Sequence, residues 1–179
     1  MSSKLSPPVG LGDHEQGSQG AAVVLVEFGD YECPHTAQAR AVVADLRAGM
    51  GVRLRYVWRH FPLRQNHPHA QVAAEAAEAA AAQGKFWELH ELLLSTGEPL
   101  ETPRLIAFAA QLGLDVDRFT RELRAHTHAS KVQADLLSGV RSAVNGTPTF
   151  FINGARHDGE WEGEALRLAI DAVGAGARA

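Results

Sequence analysis

One sulfur nucleophile is available to this chain. Cys33 is the single cysteine among 179 residues, in the stretch Gly29-Asp30-Tyr31-Glu32-Cys33-Pro34-His35-Thr36. A cysteine at the N-cap of a helix meets unpaired backbone N–H groups and the positive end of the helix dipole, and both favour a thiolate. Protonated His35 adds to that stabilisation, and the Thr36 hydroxyl is placed to donate to the sulfur. A lone cysteine is ordinarily a small buried apolar residue, but here its neighbours make a reactive thiol the better reading. Such a thiol attacks a disulfide and holds the mixed disulfide. With one cysteine no internal disulfide exists.

Other residues offer chemistry with less definition. Glu27 lies mid-strand among apolar residues, six positions before Cys33. Burial raises a carboxylate pKa, which would make Glu27 a proton acceptor near the sulfur. It reads equally as a sheet-edge carboxylate serving solubility or a structural hydrogen bond. Nine histidines invite a metal, with His60, His67 and His69 close in sequence and Cys33 a conceivable fourth ligand. Yet His67 caps or precedes a helix and His90 reads as a helix-face residue, so neither a metal nor a tightly bound cofactor is assigned. The acids of His157-Asp158-Gly159-Glu160-Trp161-Glu162-Gly163-Glu164 are too scattered for a calcium loop.

The elements that must position these groups follow from periodicity. Val23 to Phe28 is a short apolar run, predicted as a strand buried on both faces. Pro34 suits the first position of a helix carrying Val42, Val43 and Leu46, which Gly49 and Gly51 stop. Val52 to Trp58 alternates apolar residues with arginine, the pattern of a half-buried strand. Strand, helix, strand most simply means a parallel βαβ unit. From about His67 to Val144 the pattern is helical. The alanine tract after Val72 is a packed helix; Thr102-Pro103 begins a further one, Gly113 ends it, and Asp115 caps the next. Thr149 to Ile152 returns to strand, Asn153-Gly154 forms a two-residue hairpin turn, and a last helix carries Leu166, Ile170 and Val173. The chain therefore divides into a flexible arm (1–20), an α/β core (21–63 with 145–176) and an inserted helical domain (64–144).

Composition narrows the classes. The 45% hydrophobic content supports a core without a metal or disulfide staple. A net charge of −4 without Lys/Arg runs leaves no footprint for nucleic acid or a membrane surface. The first twenty residues lack the apolar core of a signal peptide, and no run approaches the ~18 apolar residues of a membrane span. One cysteine also argues against a secreted domain. The expectation is a cytoplasmic protein.

Taken together, these stretches resemble the DsbA family. Val26-Glu27-Phe28-Gly29-Asp30-Tyr31-Glu32-Cys33-Pro34-His35-Thr36 is similar to the family's first strand and active-site turn, and Cys-Pro-His matches three residues of its Cys-Pro-His-Cys motif. Residues 59–63, 67–70, 84–93 and 145–154 resemble further family stretches, so the likeness runs from about Asp13 to Val173. It implies a thioredoxin fold with an all-helical insertion, a partly buried acid at Glu27, and a cis-proline at Pro148 beside the cysteine. Pro34, Thr147 and Pro148 would border the substrate, with the Thr147 backbone pairing an extended client strand. Thr36 departs from the family: a dithiol oxidase stores two electrons in a bond between two sulfurs, and this chain has one. The resemblance implies a monothiol oxidoreductase acting on protein or peptide thiols and disulfides, with glutathione or another small thiol as co-substrate. Two alternatives share the fold: a redox-inactive peptide-binding or chaperone-like module, and a glutathione-dependent isomerase or kappa-like transferase.

Overall fold

The computed structural model describes residues 3–176. In chain order the elements are β1 (His14–Gly17), β2 (Val23–Gly29), α1 (Pro34–Met50), β3 (Leu54–His60), α2 (Ala70–Ala81), α3 (Phe86–Ser95), α4 (Thr102–Gln111), α5 (Val116–Arg124), α6 (Ala129–Arg141), β4 (Thr149–Ile152), β5 (Ala155–Arg156) and α7 (Ala165–Gly176). The strands form one mixed sheet in the order β1-β3-β2-β4-β5. Strand β2 runs parallel to β3, with Glu27 opposite Trp58, and antiparallel to β4, with Glu27 opposite Phe150. This is the thioredoxin arrangement, with α2 through α6 inserted between β3 and β4.

Two apolar layers cover the sheet. Val23, Leu25, Tyr56, Trp58, Phe150 and Ile152 project into the larger core, where they meet Val43 and Leu46 of α1, Leu166 and Ile170 of α7, and the helices of the insertion. Val26, Phe28, Val57 and Phe151 project to the other face, with Leu5, Phe61 and Val144. Period-2 alternation thus puts both faces of β2 in apolar surroundings. The alanine tract of α2 is buried almost throughout, and Gly139 of α6 lets that helix approach Phe61, whose ring would lie 2.5 Å from an added Cβ.

Three expectations are corrected. Strand β3 begins at Leu54, because residues Gly51–Arg53 form a turn of 3-10 helix that leaves Val52 78% exposed. Nor is β3 half-buried: β1 pairs antiparallel with it on its outer side, and its arginines are taken up there. Arg55 pairs with Glu15. Arg59 donates to both Asp13 oxygens at 2.8 and 2.9 Å, to the Pro7 and Pro8 carbonyls and to Ser138 Oγ. The same contacts correct the reading of residues 1–20 as a flexible arm. Within the described residues, this segment lies along the sheet: Leu5 is buried, and it reaches β5 through Leu5 N–H to Gly154 O and Arg156 N–H to Ser3 O, each 2.9 Å. No helix of the described residues is long and apolar enough to cross a membrane.

Candidate active site

Cys33 is the N-cap of α1, with φ −76° and ψ 120°, and its side chain leaves the amides of the first turn uncapped. Pro34 fills the first helical position, where no amide is needed. The thiol is 5% exposed and donates to the Thr147 carbonyl at 3.2 Å. The Thr147–Pro148 peptide bond is cis, as the resemblance implied. A polar depression of about 300 Å³ opens beside this loop, lined by Asn145, Thr147, Pro148, His157, Asp158 and Trp161 among others. The Thr147 hydroxyl oxygen is buried there without a hydrogen-bond partner.

Thr36 is fully buried. Its hydroxyl accepts from the Asp30 amide at 3.5 Å; the expected donation from Thr36 to the sulfur is not seen among the described residues, and the thiol itself donates to the Thr147 carbonyl. The Thr36 methyl lies 3.0 Å from where a Cβ on Gly29 would stand, and the Trp58 ring lies 2.1 Å from that point. Only glycine at position 29 thus leaves room for β2 to pass under the indole into the turn. His35 and Pro34 are exposed on the first turn of α1.

Glu27 sits below the turn in the central strand, 1% exposed. Burial raises its pKa to about 8, against the lowering effect of the Tyr56 hydroxyl, which donates to Oε2 at 2.7 Å. Oε1 has no partner. It borders a cavity of about 10 Å³ shared with Arg40, Tyr56, Trp87 and His90, roughly the volume that one water occupies. Glu27 is therefore a buried acid and not the sheet-edge carboxylate also considered.

The turn itself is held by residues the sequence reading passed over. Asp30 is buried; its Oδ1 accepts from the Glu32 amide at 2.8 Å, and its Oδ2 accepts from the Leu63 amide at 2.7 Å and from His67 Nδ1 at 2.8 Å. Glu32 accepts from the His69 amide at 2.7 Å and from His69 Nδ1 at 2.8 Å. One signal in the sequence pointed here: two acids spaced by two and two histidines spaced by two, with each pair separated by 37 positions.

The proposed cluster of His60, His67 and His69 does not assemble, since His67 and His69 serve the turn. His60 instead joins His14 and Glu78, whose ligand atoms lie within 4.8 Å of one another. The chemistry of that trio does not fit a metal. Indole N–H is a donor only, and Trp58 Nε1 lies 3.1 Å from His60 Nδ1. His60 therefore carries its proton on Nε2 and donates it to Glu78 at 2.9 Å, leaving no lone pair for an ion. Burial works against the Glu78 charge, but the hydrogen bonds from His14 and His60 hold its carboxyl well below the usual carboxylate range. His90, expected on a helix face, is buried, which pushes its pKa down to about 3; Tyr31 Oη lies 3.0 Å from its Nδ1.

Comparison with known proteins agrees with this geometry. Structurally, the chain is similar to oxidised BdbD from Bacillus subtilis (TM-score 0.83, 21% identity, 98% of each chain) and to α-DsbA1 from Wolbachia pipientis (TM-score 0.80, 19% identity, 95% of this chain and 94% of that one). A thioredoxin-like oxidoreductase from Silicibacter pomeroyi is 29% identical over 93% of each chain (TM-score 0.76). In sequence, the chain is 47% identical over 166 residues to Na(+)/H(+) antiporter NhaA 1 of Salinispora arenicola, covering 93% of this chain and 25% of that protein. It is 43% identical over 164 residues to NhaA 1 of Mycobacterium sp. (strain KMS), covering 89% and 26%. The chain thus spans about a quarter of the length of the curated relatives it matches. The thioredoxin family model matches residues 11–172, and with its sheet, its cis-proline loop and its helical insertion the chain belongs to the thioredoxin family in its DsbA-like form.

Proposed function

We propose that the chain is a monothiol oxidoreductase working through Cys33. The thiol proton leaves to solvent, and the thiolate attacks one sulfur of a client disulfide R–S–S–R′. A Cys33–S–S–R bond forms and R′–S⁻ departs. A small thiol such as glutathione then attacks the mixed disulfide, giving R linked to the small thiol and returning Cys33. One disulfide enters and one leaves, so no net oxidant is needed. The observation that carries this reading is the juxtaposition of the Cys33 sulfur with the Thr147 carbonyl, 3.2 Å away, at a helix N-terminus. The thioredoxin-like oxidoreductase at 29% identity supports it.

The test is reaction of the purified chain with a glutathionylated peptide, followed by intact mass and by kinetics with and without free glutathione. A Cys33 adduct that free glutathione resolves supports the reading, and Cys33→Ser abolishes it. Peptide binding that survives Cys33→Ser without any adduct would instead establish the peptide-binding module. A conjugation or isomerisation that survives Cys33→Ser would establish the glutathione-dependent alternative. Because the antiporter relatives carry a similar unit within one polypeptide, we take a cysteine of a cation/proton antiporter as the first protein client to test.

A further inference from the structure

We infer that His67 and His69 are positioning residues for Cys33, acting through Asp30 and Glu32 to lock the active-site turn onto the segment that enters the helical insertion. The inference rests on the monothiol reading for its chemistry and on geometry for its residues. Asp30 and Glu32 stand three positions and one position before the nucleophile. Each carboxylate takes a side-chain N–H and a backbone N–H from the segment between β3 and α2: His67 and Leu63 for Asp30, His69 alone for Glu32. A carboxylate can only accept, so both imidazoles present Nδ1–H. Phe61 N–H to Gly29 O at 2.8 Å starts the same seam. Behind the turn, Cys33 N–H closes back on Asp30 O at 3.1 Å, so a shift of Asp30 is a shift of Cys33.

The seam has a consequence for the sulfur. Attack on a disulfide requires the three sulfurs to align, and the Cys33 sulfur is placed against Thr147 by an element on the far side of the site. With the seam intact, the turn cannot slide between the two. With it broken, the sulfur gains freedom: it becomes easier to reach and worse aimed. Alkylation, which needs little alignment, and disulfide exchange, which needs much, should then move in opposite directions.

The experiment compares the parent with His67→Leu/His69→Leu, His67→Gln/His69→Gln and the single variant His69→Leu, whose parent side chain is about one-third exposed and least needed for folding. In the Leu pair, mixed-disulfide formation with a glutathionylated peptide falls about tenfold, the scale at which misplacement costs rate. Iodoacetamide alkylation of Cys33 rises about threefold as exposure increases. The Gln pair keeps an N–H donor and recovers most of the parent behaviour, and His69→Leu moves both rates in the same directions by less. Equal behaviour of the Leu and Gln pairs would overturn the inference. So would rates that fall together in proportion to a loss of thermal stability. If the parent forms no mixed disulfide, the functional reading fails, and the alkylation order alone (Leu pair fast, Gln pair like the parent) still decides the positioning role.

Discussion

Thr36 stands in the second-cysteine position of the Cys-Pro-His-Cys motif that this turn resembles, with a methyl group beside Gly29 and a hydroxyl at the Asp30 amide. Because the backbone there is an ordinary first helical turn, Thr36→Cys gives two cysteines whose Cα atoms lie within the ~4.4–6.8 Å separation of a disulfide. The variant is expected to close an internal disulfide under mild oxidant and to oxidise a reduced test protein, read by mass and by client thiol loss. A variant that stays fully reduced would mean the turn is built for one sulfur only. Glu27 gives a second prediction, with a sign fixed by linkage. Its folded pKa of about 8 lies above its ordinary 4.5, so the folded state holds the extra proton and stability falls as pH rises through that window. His90 acts oppositely, since its folded pKa of about 3 lies below its ordinary 6.5 and stability rises with pH until 6.5. The two offset each other between pH 4.5 and 6.5. Between pH 6.5 and 8, Glu27 alone tilts the curve downward, by about 1.4 kcal/mol per pH unit at most. Urea unfolding across that interval should show the slope in the parent and a flat line in Glu27→Gln.

At the scale of elements, the site depends on how closely β2, β3 and α1 approach at Gly29. An alanine there would put its Cβ 2.1 Å from the Trp58 ring, and neither the central strand nor the buried indole has room to retreat. Gly29→Ala is expected to destabilise by about 1–3 kcal/mol, the usual range for overpacking, measured as a lower denaturant midpoint. Most of the elements were legible in the sequence, because their signals are local: Pro34 and Gly51 bracket α1, Asn153-Gly154 sets the β4–β5 turn, and short apolar runs mark β2 and β4. Cys33 and Thr147 came together only through the resemblance, since nothing local joins positions 114 apart. The pairs of Asp30 with His67 and Glu32 with His69 were not read, because hydrogen bonds between a turn and a distant loop leave no periodicity. The arginines of β3 misled for a related reason. Their alternation signals a wet face unless a neighbouring strand supplies carboxylates, and β1 was hidden in a segment whose Ser, Pro and Gly content suggested a loose arm.

For the molecule as a whole, Arg59 joins the N-terminal segment, β3 and α6 through one buried guanidinium, 3% exposed. Removing its carboxylate partner leaves an unpaired charge in the interior, so Asp13→Ala is expected to cost about 3–5 kcal/mol. The check is chemical denaturation, with Asp13→Glu retaining part of the loss. The N-terminal segment matters for a different reason at its far end. An open sheet has two borders, and a border with free amides and carbonyls recruits strands from other molecules. On one border β1 is only four residues long. On the other, β5 has two residues, and its outer side is already occupied by Ser3 and Leu5 and by the bridge from Lys4 to Ala155. The fold thus leaves almost no lateral template for polymerisation. A chain lacking residues 3–5 should keep Cys33 open to alkylation as before but associate on mild heating, through a border that Ser3, Lys4 and Leu5 otherwise keep sealed.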